Sequence, residues 1–196
     1  MNNKNIYLTP RDDLMLKVTS KSGSVSYKFL KDTLKYDRGR INKLVDCGYL
    51  VEHNNPIKGG KRGKQILNRF SYSLGLNSVD YCKANGYINA HGGHNGAEHA
   101  EIAGDWVYEL LTKQNVDINN IKNEKELELI FSKEISNANH KGIDFSVCDL
   151  AVIDKHGAIT IYEVETSNYR ADHRKKHKAF AFDVAKVKKS NYIIKK

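Results

Sequence analysis

Two apolar runs, Phe145-Ser146-Val147-Cys148-Asp149-Leu150-Ala151-Val152-Ile153 and Ala158-Ile159-Thr160-Ile161-Tyr162-Glu163-Val164-Glu165, are separated by only Asp154-Lys155-His156-Gly157. Apolar, β-branched runs joined by a short turn that ends in glycine have one compact solution, an antiparallel β-hairpin. A hairpin of this kind buries itself under helices or further strands, so it constrains the second half of the chain more than any other feature. Its odd property is acid inside the strands. Asp149 interrupts the first run, and Glu163 and Glu165 stand at i and i+2, which places both on one face. Carboxylates among apolar neighbours are costly unless something pairs with them. One partner is a hard divalent cation, Mg²⁺ or Mn²⁺, held by oxygen ligands, which would activate water and stabilise the charge of a phosphoryl-transfer transition state. The alternative is an ion-pair network with Arg170, Arg174 or Lys175 on the segment that follows.

The surroundings of the hairpin read as helices and short strands. Glu98 to Leu111 has helical spacing, with Ile102, Trp106, Leu110 and Leu111 on its apolar side. Val116-Asp117-Ile118 suits a short strand, and Lys125 to Phe131 is helical or extended. A helix is expected from about Ser167 to Lys186, with a final strand at Asn191-Tyr192-Ile193-Ile194. That helix crowds Arg170, Arg174, Lys175, Lys176 and Lys178, either to hold phosphates beside the carboxylates or as a solvated face. His173 and His177, four apart, share a helix face; the spacing permits metal binding, but coincidence is the plainer account. Tyr169 lacks the neighbouring histidine triad that a relaxase nucleophile would want. No P-loop, no dinucleotide glycine fingerprint and no Ser/His/Asp arrangement is present.

The front half has a different rhythm. Thr9-Pro10-Arg11-Asp12-Asp13 opens a helix: Thr9 caps, Pro10 fits the first turn, and the acids complement the helix dipole. After Ser22-Gly23-Ser24, a second helix carries Tyr27, Phe29, Leu30 and Leu34. Asp37 caps a third, with Ile41, Leu44 and Val45 on one side and Arg38, Arg40, Asn42 and Lys43 mostly on the other. Gly48 ends it, and strands follow at Tyr49-Leu50-Val51 and Phe70-Ser71-Tyr72-Ser73-Leu74. Between them lies a glycine-rich basic stretch with Lys58, Lys61, Arg62 and Lys64. Three helices and a hairpin with a basic tip is the order of a winged helix-turn-helix. The third helix would enter the major groove and the tip would meet phosphates. A protein-interaction module is the alternative use of such a fold.

Charge supports polyanion binding. Residues 1–90 hold 16 basic and 7 acidic side chains, residues 91–169 hold 6 and 14, and residues 170–196 hold 10 and 2. The overall net charge of +9 therefore comes from a basic front and a basic tail around an acidic middle, which suggests separate electrostatic jobs. Three scattered cysteines, Cys47, Cys82 and Cys148, form no CxxC pair and read as buried thiols of a cytoplasmic protein. No signal core or membrane-spanning run is seen. A further helix is expected within 78–90, and His91-Gly92-Gly93-His94-Asn95-Gly96 reads as a hinge. His91, His94 and His99 with Glu98 are better taken as linker residues than as zinc ligands. The expected organisation is a winged helix over 1–90 and a small α/β domain over 91–196.

Helix, strand, hairpin, helix and strand with Asp149, Glu163 and Glu165 resembles the PD-(D/E)xK nuclease superfamily. The expected fold class is therefore α+β/α/β, a winged helix-turn-helix followed by a small mixed sheet flanked by helices. The resemblance implies catalysis by Asp149, Glu163 and Glu165, with metal on Asp149 and Glu163. A further glutamate from the first helix is expected, Glu98 or Glu101. The superfamily usually carries lysine where this chain has Glu165, so Lys175, Lys176 or Lys178 would supply a migrated one. Over roughly residues 9–185 the chain is also similar to the replication-relaxation family of plasmids and other mobile elements. Glu98-His99-Ala100-Glu101-Ile102, Asn123-Glu124-Lys125-Glu126-Leu127 and Asp149…Glu163-Val164-Glu165 carry that similarity. It implies a Mg²⁺- or Mn²⁺-dependent endonuclease or nickase acting on double-stranded DNA. Arg38, Arg40, Asn42, Lys43, Lys58, Lys61, Arg62, Lys64, Arg170 and Arg174 would hold that DNA. A second copy of the chain or other replication or mobilisation proteins would be its protein partners. The alternative is a sequence-specific regulator or replication accessory whose second domain keeps the fold without cutting.

Overall fold

The computed structural model describes residues 6–56, 68–87, 97–167 and 169–196. The chain is mixed α/β and divides into two compact units, Met1–Tyr108 and Glu109–Lys196. The division expected from the sequence is at residue 90. The first unit extends further because helix α4 (Ala97–Thr112) is tied to it. Lys28 pairs with Glu101, Thr33 bonds Asp105 at 3.2 Å, and Phe29 meets Tyr108 edge-to-face at 6.0 Å. No helix of the described residues is long and apolar enough to cross a membrane.

In the first unit, α1 (Pro10–Ser22) starts where expected. The Thr9 side chain accepts from the Asp12 amide and Asp12 reaches back to the Thr9 amide, a reciprocal cap. Strand β1 (Val25–Ser26), a π-helical turn at Phe29–Thr33 and α2 (Arg38–Asp46) follow. The Asp37 side chain caps α2 by accepting from Arg40 N at 2.8 Å. Strands β2 (Leu50–Pro56) and β3 (Asn68–Leu74) pair antiparallel from Leu50↔Leu74 to Pro56↔Asn68. The three-stranded sheet runs β1-β3-β2, and α3 (Leu76–Ala84) comes next. Gly75 is needed at that corner, because a Cβ there would sit 2.2 Å from the Gly48 carbonyl oxygen. The core is Met15, Leu16, Val18, Val25, Phe29, Leu30, Ile41, Leu44, Leu50 and Tyr72, each 2% exposed or less. Burial of each such apolar side chain contributes about 1.5–3 kcal/mol.

The second unit holds a four-stranded sheet in the order β4-β5-β6-β7. Strand β5 (Leu150–Ile153) and β6 (Ile159–Val164) form the expected hairpin, paired Leu150↔Tyr162 to Ile153↔Ile159. Its turn is built by Asp154, whose carboxylate accepts from the His156 and Ala158 amides at 2.8 Å each, and by Gly157 at φ 79°. Strand β7 (Tyr192–Lys195) lies parallel to β6, which makes β6 a central strand buried on both faces. One face is covered by α5 (Glu124–Ile130), α6 (Ser132–His140), α7 (Ala171–Ala179) and a π-helical turn Phe180–Val184. The cluster of Leu127, Phe131, Ala151, Ile161, Phe180, Ala181 and Val184 fills that layer.

Three local expectations change and one open reading closes. The strand expected at Val116–Ile118 is a turn, because the Asp117 carboxylate accepts from Asn119 N at 2.7 Å; the strand is β4 (Ile121–Asn123), paired with β5. The strand expected from Phe145 starts only at Leu150, since Ser146 N bonds the Lys176 carbonyl of α7 instead of a neighbouring strand. The long helix begins at Ala171 rather than Ser167, after a turn closed by Tyr169 N to Thr166 O at 2.9 Å. Lys125–Phe131 resolves as helix, with an Asn123–Glu126 capping box at its start, and α6 follows unforeseen.

Candidate functional site

The site forms where β5 begins and β6 ends, beside α7. Asp149 precedes β5 by one residue and is partly buried; its Oδ2 accepts from Val164 N at 2.8 Å. Glu163, near the end of β6, is fully buried. Its Oε1 accepts from Tyr169 Oη at 2.5 Å. His177 Nδ1 of α7 lies 3.3 Å from Glu163 Oε2, within ion-pair distance but off hydrogen-bond geometry. Burial first, then the negative charge of Asp149, pushes the Glu163 carboxyl up to about 9. The Tyr169 hydroxyl, with the Asp149 amide and the Cys148 thiol nearby, only partly offsets this. Burial and the Glu163 and Asp149 charges likewise hold the Cys148 thiol well above its ordinary value.

Glu165 faces the same helix, as i and i+2 on a strand require, but its environment is opposite. Arg174 clamps it with two bonds, Nε to Oε1 at 2.6 Å and Nη2 to Oε2 at 2.8 Å, and Lys196 stands 3.9 Å away. The Arg174 guanidinium outweighs burial and holds the Glu165 carboxyl below its ordinary value. The expected constellation therefore separates. Asp149 and Glu163 come together, Glu165 takes the ion-pair alternative, and Lys175 is exposed on α7. Glu98 belongs to the other compact unit. Tyr169 commits its hydroxyl to Glu163, and the phenol is raised by burial first and then by that carboxylate, which makes it a poor nucleophile.

Two residues that the sequence reading sets aside turn out to matter. Cys148 reads there as a buried thiol and His177 as a coincidence, yet ligand atoms of Cys148, Glu163 and His177 all lie within 4.8 Å of one another. The available signal is the i, i+4 pair of histidines; only one of them turns inward, since His173 is exposed and meets the Tyr169 ring edge-on at 5.8 Å.

In the first unit, two expected DNA contacts are engaged within the fold. Arg38 bonds Tyr72 Oη at 2.6 Å and Glu52 at 2.7 Å, and stacks over Tyr27 and Phe70 at 5.4 and 5.1 Å. Arg40 pairs with the fully buried Asp12 and also bonds the Tyr7 carbonyl at 2.9 Å. Both arginines thus help pin α2 in place; Arg38 keeps 40% of its side chain exposed and Arg40 23%. Asn42 and Lys43 are exposed on α2, and Arg170 is exposed at the start of α7. The basic tip residues Lys58, Lys61, Arg62 and Lys64, and the hinge with His91 and His94, lie outside the described residues. No protein-family model matches the chain, and neither a curated protein nor a solved structure matches it.

Proposed function

We propose that this chain is a DNA-binding protein of a mobile element, with a winged helix-turn-helix in front and a metal-dependent endonuclease or nickase of the PD-(D/E)xK type behind. The observation that supports the nuclease reading best is the Asp149–Glu163 pair at the mouths of adjacent central strands. Two carboxylates close enough for one to raise the other are relieved by a divalent cation. Asp149 and Glu163 fit Mg²⁺ or Mn²⁺ by charge and by oxygen donors; Glu165 does not, because Arg174 holds both of its oxygens. A bound ion would supply an activated water and a Lewis acid for the phosphodiester. In the first unit, the order helix, strand, helical turn, helix and two paired strands supports the winged-helix reading, and Asn42 and Lys43 are exposed on α2.

A second reading, a DNA-binding regulator that no longer cuts, is favoured by the Glu165–Arg174 clamp at the position where the superfamily carries lysine. Cleavage of supercoiled plasmid in Mg²⁺ or Mn²⁺ separates the two. Metal-dependent nicked or linear product, lost in Glu163→Ala, is the expected result. Absence of product on DNA from the native element, with binding verified, would leave the regulator.

DNA binding has its own test in the basic tip. Changing Lys61 and Arg62 together to alanine should weaken duplex binding. It should also reduce the slope of log affinity against log salt by roughly 1–2, near 0.9 for each phosphate no longer neutralised. A binding titration with an unaltered slope would remove the tip from the DNA interface.

A further inference from the structure

We infer that Cys148, Glu163 and His177 form a site for a borderline transition ion of the Zn²⁺ class, one ion per chain, distinct in chemistry from a hard Mg²⁺ site. The inference shares Glu163 with the nuclease reading but stands whether or not the chain cuts DNA.

The donor set is the first argument. A thiol, an imidazole and a carboxylate converge with their ligand atoms within 4.8 Å of one another. Thiolate and imidazole select Zn²⁺, Co²⁺ and similar ions, while Mg²⁺ takes oxygen and retains water. Metal–ligand bonds of about 2.0–2.3 Å at tetrahedral angles set neighbouring donors roughly 3.3–3.6 Å apart. His177 Nδ1 and Glu163 Oε2 already stand at 3.3 Å.

The second argument is what the carboxylate lacks. Glu163 is fully buried, yet its Oε2 has no well-formed hydrogen bond, and this is the oxygen that faces His177. A buried acceptor left in that state is costly. An ion at the centre of the three donors satisfies it. The other oxygen, Oε1, is held by Tyr169 Oη at 2.5 Å, the kind of outer contact that orients a carboxylate ligand to offer one oxygen. The rings of Tyr169 and His177 lie 5.9 Å apart at 35°, so the same tyrosine also braces the imidazole.

The third is access. Cys148 and Glu163 are sealed, but His177 keeps 16% of its side chain exposed, giving the ion a way in from the α7 surface. Three protein ligands leave one position of a tetrahedron for water, the arrangement of catalytic rather than purely structural zinc. Binding replaces the Cys148 S–H bond by an S–metal bond, and the proton leaves to solvent.

Cobalt reports this geometry directly. The full chain, stripped with chelator, is titrated with Co²⁺ and followed by absorption. The expected result is one Co²⁺ per chain, with intense tetrahedral visible bands and a near-ultraviolet thiolate-to-cobalt band. Stoichiometric Zn²⁺ should abolish both and a large excess of Mg²⁺ should leave both. Cys148→Ser removes the thiolate band, while Cys82→Ser retains it. His177→Gln, at a partly exposed position and suited to a case where Cys148→Ser fails to fold, weakens Co²⁺ binding by more than the roughly 10–100-fold that losing an outer-shell partner costs. Binding without a thiolate band, a band that survives both Cys148→Ser and His177→Gln, displacement by Mg²⁺, or no stoichiometric binding would each overturn the site. None of these readings depends on cleavage, so failure here and failure of the nuclease reading are separable.

Discussion

Asp149→Ala is expected to lower metal-dependent cleavage by about 10³-fold or more, since a catalytic ion supplies several kcal/mol and each 1.36 kcal/mol is tenfold in rate. Duplex binding by the same variant should match the wild type, because the proposed DNA contacts lie elsewhere on the chain. The substitution also removes an acceptor, as Asp149 Oδ2 takes the Val164 amide at 2.8 Å. Asp149→Asn separates the two roles. It keeps an oxygen for that amide and loses the negative charge, so it should cut as poorly as the alanine variant. Rates measured on one plasmid substrate in saturating Mg²⁺ decide it. An active Asn variant beside an inactive Ala variant would mean that Asp149 merely positions the β6 backbone, and an active Ala variant would exclude Asp149 from the metal site.

Arg40→Ala should destabilise the first unit by about 3–5 kcal/mol, the usual cost of leaving one partner of a buried ion pair behind, with the lower figure favoured because Arg40 is partly exposed. Asp12 is fully buried and takes Arg40, the Thr9 hydroxyl and amide, and the Tyr36 hydroxyl at 2.9 Å. Burial pushes its carboxyl up, but the Arg40, Thr9 and Tyr36 hydrogen bonds more than offset this and leave it below 3.8. The linkage follows from that sign. A depressed carboxylate contributes stability that is present above pH 3.8 and is lost as pH falls through the lower folded value. In Arg40→Ala the main depressing partner is gone and burial dominates. Protonation then relieves the variant, so its deficit against wild type should shrink with acidification. Urea unfolding of both proteins at neutral pH and near pH 3 measures this. A deficit that stays constant with pH would mean that Arg40 acts through packing alone.

These two predictions rest on features of unequal visibility in the sequence. The caps at Thr9 and Asp37, the turn at Asp154–Gly157 and the hairpin strands are governed by bonds spanning a few residues. Spacing along the chain therefore specifies them; the caps and the turn match the expectation, and the hairpin pairs as expected although its first strand starts only at Leu150. The placement of Asp149, one residue before β5, beside Glu163 of β6 also follows from the short turn, which sets the register of the pair. The basic helix after the hairpin is likewise legible as a charge pattern, and α7 carries it.

The roles of individual charges depend on contacts between distant elements. Arg40 reads as a groove-facing residue of α2, and its partner is Asp12, 28 residues earlier. Glu165 and Glu163 read as equivalent acids on one strand face, yet α7 meets one with Arg174 and the other with His177. An i, i+2 pair of acids meets an i, i+3 pair on a helix, and which basic side chain faces which acid depends on how the helix docks. Cys148 and His177 are 29 residues apart, and their approach to Glu163 depends on the packing of Phe180, Ala181 and Val184 against the sheet. Local hydrogen bonding is encoded by spacing, so the helix caps, the Asp154–Gly157 turn and the hairpin that holds the acids were legible along the chain. Convergence of side chains from separate elements requires the packed core, so the composition of the site belonged to the fold.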